Sequence, residues 1–163
     1  MTISEIAGKM IEYSRGNRND INHFLKVFAL AGIIGRGEGL DEDTQTILET
    51  AAIVHDIACP LCREKYGSAG GKYQEAEGPA LVREFLADSG LSRAAVDRIA
   101  CLVGRHHTLQ GIDGPDCQIL IEADYLVNAD ENQYSREHVE HALERVFQTG
   151  TGIRMLKAMY PAE

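Results

Sequence analysis

Four side chains combine the residue types and the apolar surroundings that a buried metal site needs. The stretch AAIVHDIACP places His55 and Asp56 directly after small and apolar residues. His23 lies within INHFLKVFALA and Asp124 within QILIEADYLVN, which are also rich in apolar residues. A buried carboxylate is costly unless it is paired or bound to a metal. Two imidazoles and two carboxylates suit Fe, Mn, Co, Ni, Mg or Zn, so we predict a divalent metal ion.

Each of these residues taken alone is also consistent with a structural role. A histidine can bond to a backbone carbonyl, and an aspartate can be an ordinary surface acid. Consecutive helical residues point about 100° apart. His55 and Asp56 can therefore reach one centre only from beside the end of their helix.

Helical periodicity extends through almost the whole sequence, without a convincing strand or an internal repeat. It predicts an all-α fold, a globular bundle of about six or seven helices in one domain over residues 1–163. Thr2, Asp41, Ser92 and Ser135 have the residue types and positions of helix N-caps. The stretch CPLCREKYGSAGGKY, residues 59–73, contains one proline and three glycines and is predicted to be a long, functional loop.

The composition restricts the class of partner. The net charge of −9 and the sequence pI of about 5.1 argue against a nucleic acid polymer or an anionic membrane as the partner. The N-terminus lacks the apolar core of a signal peptide, and the sequence contains no membrane-length apolar stretch. The four cysteines suit a reduced compartment, so we expect a cytoplasmic protein. The oligomeric state stays open, with a homodimer as one alternative.

The order and local frames of the four candidate ligands resemble those of the HD-domain superfamily of metal-dependent phosphohydrolases. The resemblance covers roughly residues 15–130, and EGLDEDTQTILETAAIVHDI is especially typical. It implies an HD-domain-like helical fold with a divalent metal held by His23, His55, Asp56 and Asp124. It also implies hydrolysis of a small phosphate ester, with a nucleotide as one candidate.

The resemblance also suggests catalytic roles. Asp56 is expected to orient or deprotonate a metal-bound water while it ligates. His106 and His107, in VGRHHTLQGID, match the later histidine region of the family. At least one of them is expected to face the cleft, as a weak second-metal ligand or as a donor to the phosphate.

Two departures from the family pattern leave other functions open. Ala58 and Cys59 stand where many members have glycine and lysine, so a substrate-contacting lysine is missing there. Gln74 stands where two-metal members often have a histidine, and because glutamine is a poor metal ligand the sequence argues against a complete second metal site. A catalytically weak, metal-bound nucleotide sensor is therefore the first alternative. A di-iron oxygenase on the same fold is the second, although it needs the complete second site that Gln74 disfavours.

The substrate-binding residues are expected around the 59–73 stretch and the histidine pair. They are polar residues beside the predicted cleft: Arg63, Lys65, Lys72, Gln74, Glu77 and Arg105.

Two further pairs could bind metal or undergo redox chemistry. Cys59 and Cys62 form a CxxC, but a structural zinc site needs four ligands and no second pair is present. His138 and His141 lie three residues apart on a charged helix, where a surface position is the simpler interpretation.

Overall fold

The computed structural model describes residues 1–161 and contains nine α-helices within them. The all-α class is confirmed, with more helices than the six or seven expected. The helices are α1 (Ile3–Tyr13), α2 (Arg18–Gly37), α3 (Glu42–Val54), α4 (Cys59–Tyr66), α5 (Gly71–Phe85), α6 (Arg93–Val103), α7 (Pro115–Glu131), α8 (Arg136–Arg145) and α9 (Gly150–Met159).

The predicted loop over residues 59–73 is wrong for most of its length, because α4 occupies its first half. Pro60 lies in the first turn of α4, where the missing N–H has no intrahelical partner to lose. Gly67 ends the helix with φ 66°, a left-handed conformation that glycine adopts without strain. Only residues 67–70 separate α4 from α5. The same proline and glycines that suggested a loop therefore mark the two ends of a helix.

The four predicted N-caps are confirmed. Thr2, Asp41, Ser92 and Ser135 each accept a hydrogen bond from the backbone N–H three residues later. At Thr2 the Glu5 side chain also bonds back to the cap, which completes a capping box. These caps fix where α1, α3, α6 and α8 begin.

Helix α3 lies at the centre of the molecule, in contact with α1, α2, α6 and α7. Its C-terminal half, from Leu48 to Val54, is buried on all sides, including the polar Glu49 and Thr50. Because α3 ends in the core, the residues that follow it, His55 and Asp56, are delivered to the interior.

Helix α7 packs against α2 and α3 and is mostly buried, although it carries several polar side chains. Its start is tied to α6 by Arg98, whose Nε and Nη2 donate to the two carboxylate oxygens of Asp116 at 2.9 and 2.6 Å. In its middle, Glu122 is fully buried. Its Oε1 accepts the backbone N–H groups of Gln148 and Thr149 at 2.7 and 3.0 Å, directly before α9. These contacts fix α7 between α6 and α9.

Within residues 1–161, none of the helices is both long enough and apolar enough to cross a membrane.

Candidate metal centre

The four predicted ligands meet at one point between α2, α3 and α7. The Nε2 atoms of His23 and His55 are 3.2 Å apart, and Asp124 Oδ1 lies 3.1 Å from the first and 3.5 Å from the second. Asp56 Oδ2 lies 3.6 Å from each of the two Nε2 atoms. His55 is the C-cap of α3, so both members of the pair reach the centre from the end of the helix.

The outward nitrogens of the histidines are held by acceptors, which fixes the role of the inward ones. His55 Nδ1 donates to the Ala52 carbonyl and His106 Nδ1 to the Val103 carbonyl, both at 2.8 Å. A carbonyl only accepts, so Nδ1 carries the hydrogen. In the neutral rings Nε2 is then left with a lone pair, the form in which histidine binds metals.

His23 is held in the same way, but by a carboxylate. Its Nδ1 lies 2.8 Å from Glu131 Oε2, and Lys26 Nζ donates to the other oxygen of Glu131 at 3.1 Å. A carboxylate behind a metal-binding imidazole orients the ring and increases its basicity. Asp124 is held as well, by the Asn128 side-chain amide, which donates to Oδ1 at 2.9 Å.

The charges of the site balance only with added positive charge. Burial acts to raise the pKa of Asp124, but hydrogen bonds from His23 and His55 lower it well below its usual range. Burial likewise opposes ionisation of Asp56, and the charge of His55 outweighs it and lowers the pKa. For His55, burial lowers the pKa, while the charge of Asp56 and the bond to Asp124 outweigh it and raise the pKa to about 9. The pKa of His23 is raised for similar reasons. In the metal-free protein, protons on the imidazoles thus compensate the carboxylates.

A second group of donors adjoins the first and shares Asp56. One ligand atom each from Asp56, His106 and His107 can be chosen so that all three lie within 4.8 Å of one another. Asp56 Oδ1 lies 3.7 Å from His106 Nε2. That Nε2 is buried and has no hydrogen-bond partner, which is rare for a polar atom in a folded protein. His107 is exposed, but partial loss of water around its ring and the neighbouring His106 lower its pKa to about 4.

The donor set fits a divalent cation. The inward imidazole nitrogens of His23 and His55 meet the carboxylates of Asp56 and Asp124, and each of the two histidines is held from behind. Such nitrogen and oxygen ligands accept several metals, so the donors do not select one among Fe, Mn, Co, Ni, Mg and Zn.

The family model of the HD domain matches residues 20–129, which include the four ligands. The chain belongs to the HD-domain family. A crystal structure of a predicted HD superfamily hydrolase from an uncultured Thermotogales bacterium is similar over 96% of this chain and 84% of that one, with a TM-score of 0.70 and 20% sequence identity. At that identity the likeness supports the fold. No curated protein sequence matches significantly.

The structure pairs the predicted substrate-binding cations of this HD domain with protein groups. Both Nη atoms of Arg63 contact the carboxylate of Asp20, one of them at 3.4 Å. Lys65 Nζ donates to Glu77 Oε1 at 2.6 Å, so two of the predicted residues bind each other.

The other two cations also have neighbours of their own. Lys72 Nζ lies 5.0 Å from the centre of the Tyr73 ring, on its face. Arg105 Nη2 donates to the carbonyls of Gln110 and Gly111 at 3.3 and 2.6 Å. A role of these cations in substrate binding stays a prediction.

Gln74 is buried in the first turn of α5. Its Nε2 donates to the Ala69 carbonyl at 2.8 Å, and its Oε1 has no partner. Cys59 and Cys62 are buried free thiols, and burial raises the pKa of both. Reactive thiols need a lowered pKa, so the surroundings of this pair favour a packing role.

Sequence reasoning missed Asn128 and Glu131, the two residues of α7 that hold the candidate ligands Asp124 and His23. Asp124, Asn128 and Glu131 follow one another at i, i+4 and i+7, so they share one face of the helix. The signal was a polar stripe on an otherwise apolar helix.

His138 was expected on the surface, and it is exposed. It nevertheless lines the same cleft as Asp124 and His106, together with Tyr125 and Tyr134.

Proposed function

We propose that this HD domain is a metal-dependent hydrolase of a small phosphate ester. The observation that carries the proposal is the convergence of two inward-facing imidazole nitrogens and two ionised carboxylates beside an open cleft. In the reaction, the oxygen of a water molecule bonds to phosphorus and the ester P–O bond breaks. One proton of the water ends on the leaving oxygen, so the products are an alcohol and phosphate.

His23, His55, Asp56 and Asp124 would hold the cation. When bound, a divalent cation lowers the pKa of a coordinated water and offsets charge on a phosphoryl oxygen. Glu131, Asn128 and the carbonyl of Ala52 keep the ligand side chains in the binding orientation.

Proton transfer falls to Asp56 and His106. Asp56 directs one oxygen to the ligand cluster and the other to His106, so it can orient a water between the two groups. The unpartnered Nε2 of His106 is buried and has a lone pair, which suits it to take the proton of the attacking water. The same atom can return that proton to the leaving oxygen.

The test is phosphate release from a panel of phosphate esters by protein loaded with each candidate metal in turn. We expect Asp56→Asn to lower the rate by at least about 100-fold, the smaller effect typical of a lost acid–base group. Asp97→Asn is the matched control, because Asp97 is half exposed and bonds to Arg83 on the surface. Undiminished activity of Asp56→Asn would overturn the role of Asp56.

The same panel separates the alternative functions. Tight nucleotide binding without turnover, with every metal tried, would favour the sensor. Oxygen consumption by anaerobically purified, iron-loaded protein would favour the oxygenase.

A further inference from the structure

The cleft beside the metal centre has a volume of about 310 Å³. Ligand pockets commonly measure about 300–1,000 Å³, so this one suits a small molecule. Its lining includes His106, His107 and Asp124 of the centre, and it continues to Tyr134 and His138. A phosphoryl group at the centre would therefore have the rest of its molecule in contact with aromatic side chains.

The aromatic part of the lining is arranged as flat surfaces. The rings of Tyr134 and His138 are stacked on each other, with centroids 4.2 Å apart and an interplanar angle of 4°, so each covers one face of the other and the pair presents its outer faces. Tyr125 lies 5.7 Å from Tyr134 at 57°, and its hydroxyl donates to the backbone carbonyl of His138 at 3.2 Å. His138 is exposed and Tyr134 half-buried, although both line the cleft.

The lack of cationic side chains among the described residues of the cleft makes the aromatic rings the main candidates for binding the organic part of a substrate. No lysine or arginine lines it in the part of the chain that the structure describes. Apart from metal ions, the lining thus offers a phosphoryl group no permanent positive charge. Affinity for a particular ester must then come from contacts with its organic part, and the flattest contacts available are the rings.

We propose that the stacked pair of Tyr134 and His138 binds, on its outer face, a planar ring in the leaving group of the substrate. The inference rests on the proposed function, since it takes the phosphoryl group to lie at the metal centre. It narrows the substrate class to monoesters whose alcohol carries an aromatic or other flat ring.

The test compares phenylphosphonate with cyclohexylphosphonate, which have equal numbers of carbon atoms but a flat and a puckered ring. Both compounds have a P–C bond in place of the ester P–O bond. An esterase reaction cannot cleave them, so the titration measures binding alone. Titration calorimetry on metal-loaded protein should show about 3- to 10-fold tighter binding of the phenyl compound, the range typical of one aromatic contact. His138→Leu and Tyr134→Leu should each reduce this preference towards one.

His141→Leu is the matched control, because His141 is exposed on the same helix and does not line the cleft. It should keep the wild-type preference. His138 is exposed, so its variant is expected to fold even if Tyr134→Leu does not, and circular dichroism checks both.

The outcomes separate this inference from the proposed function. Equal binding of the two phosphonates, or a preference that survives both substitutions, would overturn the ring site even if phosphate esters are hydrolysed. Loss of the preference in His138→Leu but not in His141→Leu would support the ring site even if no ester in the panel is turned over.

Discussion

The contact between Glu131 and His23 gives the sharpest prediction about the metal centre. Glu131 Oε2 lies 2.8 Å from His23 Nδ1, at the last residue of α7. Glu131→Gln keeps the size of the side chain and an oxygen acceptor, but removes the negative charge behind the imidazole. Loss of such a partner typically costs 10- to 100-fold in metal affinity.

The structure places the expected value near the lower end of that range. The Glu131 side chain is 30% exposed, so water screens part of its charge. Its charge is also shared with Lys26, 3.1 Å away. We therefore expect affinity to fall about 10-fold, or about 1.4 kcal/mol. Competition between the protein and a chromophoric chelator for Co²⁺, at fixed pH and salt, measures this change.

Two further variants separate orientation from general electrostatics. Asp130→Asn removes the same charge one residue earlier, where the side chain is 66% exposed and faces Lys26 at 3.8 Å. It should change the affinity less than about 2-fold, as expected for a screened surface charge. Lys26→Met removes the competing partner of Glu131 and should not weaken binding. The reasoning is refuted if Glu131→Gln binds Co²⁺ like the wild type, or if Asp130→Asn weakens binding equally.

Three other predictions follow from the contacts around the site. Metal binding at pH 7 should release about one to two protons, because the pKa of His55 is raised to about 9 and that of His23 is also raised in the metal-free protein. Metal affinity should accordingly rise with pH up to about 9, and calorimetry in buffers of different ionisation enthalpy measures the protons. His106→Phe should lower hydrolysis at least about 100-fold while the His23–His55 group still binds metal, as judged by turnover and metal content. Gly152→Ala should lower the free energy of unfolding by about 1–3 kcal/mol, because its Cβ would overlap the Glu122 carboxylate, and urea denaturation measures the loss.

A specific result would contradict each of these three predictions. Heats of binding that are independent of the buffer would exclude proton release. Loss of metal from His106→Phe would show that His106 serves the first group of ligands. Gly8→Ala is the control for Gly152→Ala, since no atom other than its chain neighbours and its own helix backbone lies within 4 Å of the added Cβ. It should stabilise the helix by about 0.5–1 kcal/mol, and an equal effect of the two substitutions would refute the packing argument.

The convergence of the four candidate metal ligands could be predicted because their polar types stand out within apolar helices. His55 and Asp56 follow the buried C-terminal half of α3, so the burial of His55 and the partial burial of Asp56 could be inferred from the sequence. Glu131 could have been found from its spacing to Asp124, but its partner His23 lies 108 residues away along the chain. Only the packing of α7 against α2 brings the two together.

The predicted substrate residues show what sequence alone lacks. Arg63, for example, has the right charge in a glycine-containing stretch, but its carboxylate partner Asp20 comes from the start of α2. His138 was interpreted as an ordinary surface residue, yet it lines the cleft. An exposed histidine on a charged helix has no local sequence feature that indicates a neighbouring cleft. Which side chains share a cavity depends on contacts between distant segments, and these have no signature in the local pattern.

The buried carboxylate of Glu122 has a consequence for how the chain can be shortened. The segment that matches the HD family, residues 20–129, contains every candidate metal ligand, yet it ends before α9. A fragment cut to those bounds would leave a fully buried acid without the backbone donors of Gln148 and Thr149. That acid lies two residues before Asp124 on the same helix, so the cut would loosen α7 where it supports the metal. Helix α9 and the two residues before it therefore stabilise the candidate metal centre, although they contribute no candidate ligand.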